Sequence, residues 1–87
     1  MEENPRAKAA ILEAVREQIS SPESPYVGEH YKRLLDSGHD EQEVLELLGS
    51  VLAAEMWEIS VQGRAFNEAQ YIDRLAKLPD TSWMDEA

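Results

Sequence analysis

The chain has 87 residues, no cysteine, and 18 acidic against 8 basic side chains, which gives a formal charge of −10 at pH 7. Its length suits one small domain, and without cysteine neither a disulfide framework nor a thiolate zinc site can form. The negative charge repels phosphate backbones and anionic lipid, so we expect binding neither to nucleic acid nor to membranes.

The N-terminus opens with acidic residues and lacks the basic flank and continuous apolar run of a secretory signal. No stretch reaches the roughly 18 consecutive apolar residues that a membrane span needs. These features predict a cytoplasmic protein. At the encounter stage the charge favours a cationic protein partner, although it can also serve solubility alone.

The first predicted helix begins at Pro5, with Asn4 as its N-cap, because proline at the first helical position loses no hydrogen bond. Residues 20–25 contain two prolines and small polar side chains, so a short connection is expected there. Between them, apolar residues recur at helical spacing, at Ile11, Leu12, Val15 and Ile19.

The second predicted helix has Ser24 as N-cap and Pro25 at its first position, and it ends at Ser37 and Gly38. Gly28 lies inside it and costs about 1 kcal/mol relative to alanine, so the early turns are expected to be weak. The tight connection that follows predicts that the second and third helices are near neighbours.

Residues 40–63 form the longest predicted helix and the centre of the predicted fold. Asp40 and Glu43 make a capping-box pattern at its start, and Gly63 can close it in the left-handed conformation. Trp57 points away from the main apolar face, so either several helices or another chain must surround this helix. That face gathers Val44, Leu47, Leu48, Val51, Leu52 and Ile59.

The fourth predicted helix is short and ends before Pro79. Asn67 and Gln70 supply its N-terminal cap signature. Phe66 and Tyr71, on either side of the cap, are placed to form a hydrophobic staple. Tyr71 also begins the apolar stripe by which this helix would face the core.

The remaining residues are acidic and predict a flexible C-terminal tail over 80–87, beyond a single helical domain over 1–79. In an alternative arrangement, Trp83 and Met84 fold back onto the bundle. The tail is therefore one of two elements that can cover the far side of the central helix, the other being the fourth helix.

Glu55 falls in the middle of the main apolar face of the central helix, where an unpaired carboxylate is costly. A structural carboxyl there would accept a hydrogen bond from Tyr31 or Tyr71, or would pair with His30 or Arg33. Carboxyls in clefts are also functional candidates. Glu55 and His30 are thus the buried polar candidates of the sequence.

Glu55 and Glu58 lie three residues apart, the geometry by which helical bundles present carboxylates to metals. With His30 they would make a metal- or ligand-binding site, which we keep as the alternative function. A di-iron site needs further Glu-x-x-His ligands that the chain lacks, so no cofactor is expected. No nucleophile and base pattern is evident either, and we predict no catalytic residue.

An exposed tryptophan on the central helix would mark an interaction surface, because tryptophan and methionine are enriched where proteins bind one another. Met56 and Trp57 lie on the side away from the main apolar face, and Trp83 can join them from the tail. These three residues are the predicted interaction surface, either for another protein or for a second copy.

The chain resembles a group of small, uncharacterised bacterial helical proteins across most of residues 4–79. The residues that carry the resemblance are Asn4, Pro5, Glu17, Gln18, Ile19, Gly38, Gly49, Ser50, Val51, Leu52, Tyr71 and Leu75. The resemblance implies an all-helical bacterial protein and brings no assigned activity with it. Members of the group carry histidine pairs on the first and third helices, where this chain has Lys8, Leu12, Gln42 and Glu46.

Together these features predict an all-α domain of about four helices, packed as a small bundle around the central helix at about residues 40–62. The leading functional hypothesis is a non-enzymatic interaction or structural module that binds either a second copy of itself or another protein.

Overall fold

The computed structural model describes residues 5–86, with side chains described for residues 6–84. Its helices are α1 (Pro5–Ile19), α2 (Pro25–Asp36), α3 (Glu41–Gln62) and α4 (Glu68–Lys77), followed by a C-terminal 3₁₀-helix, Ser82–Glu86. The predicted all-α bundle of four helices is confirmed. Within residues 5–86, no helix combines the length and apolarity that a membrane crossing requires.

The central position of α3 is confirmed as well, because this helix packs against α1, α2 and α4. The core is built around the first four turns of α3. It includes a tyrosine and two leucines from the α4 region. The buried apolar side chains are Val15, Val27, Leu34, Val44, Leu45, Leu48, Val51, Leu52, Tyr71, Leu75 and Leu78.

The last turns of α3 depart from the prediction. Ile59, which was expected on the buried face, is 39% exposed, and Val61 is 63% exposed. The buried residues of α3 lie between Val44 and Glu55, so the apolar side chains near Gly63 are left in contact with solvent. The central helix is therefore enclosed along only part of its length.

The ends of α3 and α4 follow the predicted caps. The Glu43 N–H donates to Asp40 Oδ1 over 2.8 Å, and Gly63 ends α3 with φ +68°. The Gln70 N–H donates to Asn67 Oδ1 over 3.0 Å. The Glu43 side chain does not complete the capping box, because its Oε1 lies 3.0 Å from His39 Nδ1.

The start of α2 differs from the prediction. Pro25 begins the helix, but the Ser24 side chain makes no capping bond. Its hydroxyl instead donates to the carbonyl of Gln18 over 3.1 Å, which ties the connection back to α1. A Cβ on Gly28 would lie 2.6 Å from the carbonyl oxygen of Ile19, so glycine permits α2 to approach the end of α1 closely. The predicted cap Asn4 lies outside the described residues.

The segment after α4 packs on the bundle. Trp83 and Met84 are partly buried and contact the core cluster, which is the folded-back arrangement considered as the alternative to a free tail. The division into a domain over 1–79 and a flexible tail over 80–87 stays a prediction. These contacts bring Trp83 to the same side of the molecule as the exposed Trp57.

Candidate functional site

Four polar side chains join α3 to α4 in a largely buried cluster. Arg74 Nη1 donates to Glu55 Oε1 over 2.9 Å and also donates to Glu58 Oε2. Gln70 Nε2 lies 3.3 Å from both carboxylate oxygens of Glu55 and 3.2 Å from Glu58 Oε2. Gln70 and Arg74 are one helical turn apart on α4, so both face the two glutamates of α3.

The cluster supplies hydrogen-bond donors to its two carboxyl groups. Glu55 is only 2% exposed, and a charge so buried is stable only when it has donors. The hydrogen bond from Arg74 lowers the pKa of the Glu58 carboxyl, against the opposing effect of burial. Burial alone would lower the pKa of the Arg74 guanidinium, but its bonds to Glu58 and Glu55 raise it.

The partners of Glu55 differ from those expected. The Tyr31 hydroxyl donates to Glu41 over 2.8 Å, and the Tyr71 hydroxyl donates to Gln18 over 2.6 Å, so neither reaches Glu55. The expected pairing of Glu55 with α2 is not found, and Glu55 pairs with α4 instead. There the cation of Arg74 and the amide donor of Gln70 lie one helical turn apart, and both reach Glu55. Sequence analysis missed Arg74 in this role.

His30 lies in a different contact. Arg33 Nε donates to His30 Nδ1 over 3.1 Å, and Arg33 Nη2 donates to the carbonyl of Leu75 over 3.2 Å, so both side chains belong to the junction of α2 with α4. Burial lowers the pKa of His30, and the charge of Arg33 lowers it further. Among the described residues, no group of three or more histidine, aspartate and glutamate side chains is arranged to hold a metal.

Arg74 also connects the ion cluster to the C-terminal segment. Its guanidinium carbon lies 4.5 Å from the centre of the Trp83 ring, in a cation–π contact. The indole N–H of Trp83 is buried and has no acceptor within the described part of the chain. Trp83 is therefore held by ring contacts and packing rather than by a hydrogen bond.

Beside this cluster lies an open groove of about 460 Å³, here called the tryptophan groove. Trp57 and Trp83, both tryptophans of the chain, line it, and Trp57 is 51% exposed. Met56 is exposed too but is not among the lining residues, so the structure brings together two of the three predicted surface residues. The groove is lined by Ser50, Ala53, Ala54, Trp57, Glu58, Gln62, Arg74, Trp83 and Met84.

A second groove of about 470 Å³ runs between α1 and α3, here called the α1 groove. It shares Ser50 and Ala53 with the tryptophan groove, so the two grooves flank one stretch of α3. Gly49 forms part of its floor, where a Cβ would lie 3.2 Å from Ile11 Cγ2. Its lining is Ala7, Lys8, Ile11, Leu12, Glu46, Gly49, Ser50 and Ala53.

The two grooves offer apolar walls and charges that already have partners. Lys8 Nζ lies 3.3 Å from Glu46 Oε2 at the edge of the α1 groove. In the tryptophan groove, Arg74 pairs with Glu58, whose other oxygen accepts from Arg64 over 3.2 Å. Such surfaces favour apolar contact over acid–base chemistry.

Comparison of the chain with protein-family models, with curated proteins and with solved structures finds no match.

Proposed function

We propose that this chain is a protein-binding module and that the tryptophan groove is its docking surface. The supporting observation is that both tryptophans line one groove that is open to solvent, with Trp57 51% exposed. Burying a large apolar side chain contributes about 1.5–3 kcal/mol, and exposed aromatic side chains in grooves are the usual anchors of protein interfaces. A groove of this kind favours binding over catalysis.

The state of the charged groups agrees with a binding role. An enzyme of the acid–base type needs a carboxyl or imidazole free to exchange protons with a substrate. Here Glu55 is enclosed with Arg74 and Gln70, and Glu58 is bonded to two arginines. Glu55 positions α4 and the wall of the groove, while Glu58 lines the groove with both of its carboxylate oxygens already bonded to arginines.

The test is capture of partners by the tagged chain from cells that encode it, with Trp57→Ala and Phe66→Ala as paired variants. Phe66 is 50% exposed but does not line the groove, so it controls for general loss of apolar surface. We expect at least one protein to be retained by the wild type and by Phe66→Ala and to be lost from Trp57→Ala. Identical capture by all three would remove the proposal.

The alternative, a metal- or ligand-binding site of Glu55, Glu58 and His30, stays a prediction. Its carboxylates share Arg74, and a metal would have to displace that cation. Isothermal titration with zinc, manganese and iron(II) tests it directly. Heat of binding that disappears in Glu58→Gln would support this alternative, and the absence of heat would remove it.

A further inference from the structure

We propose that the occupant of the two grooves is an amphipathic helix with a basic polar face, supplied by another protein. This inference rests on the proposed function and names the kind of partner. It follows from the shape of the exposed face of α3, from the absence of a sheet edge in the described residues, and from the distribution of charge.

The exposed face of α3 that lies between the two grooves is here called the trough, and it is defined by Ser50, Ala53 and Trp57. Ser50, Ala53 and Trp57 recur at spacings of three and four residues, so they lie along one side of α3. The α1 groove flanks this line on one side and the tryptophan groove on the other. From Ser50 to Gln62, which both line the tryptophan groove, α3 rises about 18 Å, and this length accommodates roughly three turns of a helix.

The side chains along the trough suit a helix packed at close range. Ser50 and Ala53 are small, and small residues allow the backbones of two helices to approach. Trp57 and Trp83 give the tryptophan groove a large apolar surface, against which larger side chains of the partner can pack. Residues 5–86 contain helices and turns but no strand, so an added strand has no edge to pair with there.

The charge of the partner follows from that of the chain. With a net charge of −10, two copies repel each other, whereas a cationic partner is attracted. At the edge of the trough, Lys8 and Glu46 form a pair whose side chains are both about half exposed. Exposed pairs contribute little to stability, so Glu46 can exchange Lys8 for a cation of the partner at small cost.

The probe is a synthetic helix of about 14 residues made only of leucine and lysine, with leucine at helical spacing. It lacks tryptophan, so the emission of Trp57 and Trp83 reports its binding to the full chain. We expect a saturable blue shift with one peptide per chain, and an affinity that falls as salt is raised. A peptide with the same leucine positions but glutamate in place of lysine should bind at least about tenfold more weakly.

Two further comparisons separate docking from general attraction. A shuffled leucine–lysine peptide of the same composition should bind at least about tenfold more weakly than the amphipathic one. Ala53→Gln, which places a longer polar side chain at a residue that lines both grooves, should weaken binding by a similar factor, whereas Ala76→Gln on the exposed side of α4 should not. Circular dichroism checks that each variant folds. If Ala53→Gln does not fold, Trp57→Gln is tested in its place.

Equal binding of the shuffled peptide, or unchanged binding by Ala53→Gln, would overturn the inference. If partners captured from cells still depend on Trp57 while the amphipathic peptide does not bind, the chain is a binding module for another class of ligand. If captured proteins do not depend on Trp57 but the peptide binds through Ala53, the surface does bind a basic helix, and the proposal that Trp57 anchors the cellular partner is wrong. Binding to a second copy instead would be revealed by dimers that Ala53→Gln abolishes.

Discussion

Glu55 sets a constraint that no apolar residue would impose. Its carboxylate is 2% exposed, and removing a carboxylate from water costs several kcal/mol unless donors replace the water. Gln70 and Arg74 supply the donors that replace the water around Glu55, and they can do so only while α4 presents both side chains to α3. The ion cluster therefore fixes the rotation of α4, and with it the wall of the tryptophan groove.

Replacing Arg74 with methionine should lower the free energy of unfolding by about 3 kcal/mol, because it leaves the buried Glu55 side chain without its cation. Urea denaturation followed by circular dichroism measures the loss. Arg64→Met is the matched control: Arg64 is 61% exposed and also bonds Glu58, so its removal should cost less than about 1 kcal/mol. Equal losses in the two variants would contradict a buried ion cluster.

The double variant Glu55→Gln, Arg74→Met separates pairing from packing. Because glutamine carries no charge, it leaves no buried carboxylate when Arg74 is removed. We expect the double variant to be more stable than Arg74→Met alone by at least about 1 kcal/mol, as residues in direct contact are coupled. Additive losses in this double-mutant cycle would show that Arg74 acts mainly by packing against Trp83.

The lowered pKa of Glu58 predicts a dependence of stability on pH. A carboxyl whose pKa is lower in the folded chain stabilises the fold above its ordinary pKa of 4.5, and this contribution is lost as pH falls through the folded-state value. Wild type should therefore be more stable than Glu58→Gln at pH 7, and the difference in Tm should shrink below pH 4.5. A difference that stays constant down to pH 3 would contradict the pairing.

At the scale of the helix, the side-chain and capping contacts that sequence predicted correctly join residues no more than five positions apart. Asp40 caps Glu43 three residues away, Gly63 ends α3 through its own backbone, and the Phe66 ring meets Tyr71 at 5.7 Å in an edge contact. Such contacts depend on residues only a few positions apart, so their spacing in the sequence is enough to predict them.

The features that sequence did not predict depend on how helices cross. Arg74 lies 19 positions from Glu55, and no local spacing indicates which residue of α4 will face that carboxylate. The exposure of Ile59 has the same origin, because the apolar face of α3 extends beyond the described helices that pack on it. Two glutamates on an apolar face indicate that a cation from another helix must pair with them. The sequence does not indicate that this cation is Arg74.

Gly28 gives a prediction about helix crossing. Alanine raises helix propensity by about 1 kcal/mol relative to glycine, so propensity alone predicts that Gly28→Ala is stabilising. In the fold, however, its Cβ would meet the Ile19 carbonyl oxygen at 2.6 Å, and backbone must shift to relieve the contact. We expect Gly28→Ala to lower Tm, with a net loss of about 1–2 kcal/mol from overpacking. Gly49→Ala, whose Cβ meets a side chain at 3.2 Å, should be milder.

At the scale of the whole molecule, apolar surface and net charge act in opposite directions. Trp57, Val61 and Phe66 are each at least half exposed, and exposed apolar surface favours association. A charge of −10 opposes association between identical chains while favouring a basic partner. The same groove can therefore bind a foreign helix without causing the chain to aggregate with itself.

This balance predicts a monomer at high micromolar concentration and low ionic strength, where repulsion between copies is strongest. Analytical ultracentrifugation should give a single species of 9.9 kDa.

Raising salt to about 1 M shortens the Debye length to about 3 Å and removes most of the repulsion. Any dimer that then forms through the groove should be absent in Ala53→Gln and retained in Ala76→Gln. A stable dimer already at low salt, lost only in Ala53→Gln, would make a second copy the natural occupant and contradict the basic-helix proposal.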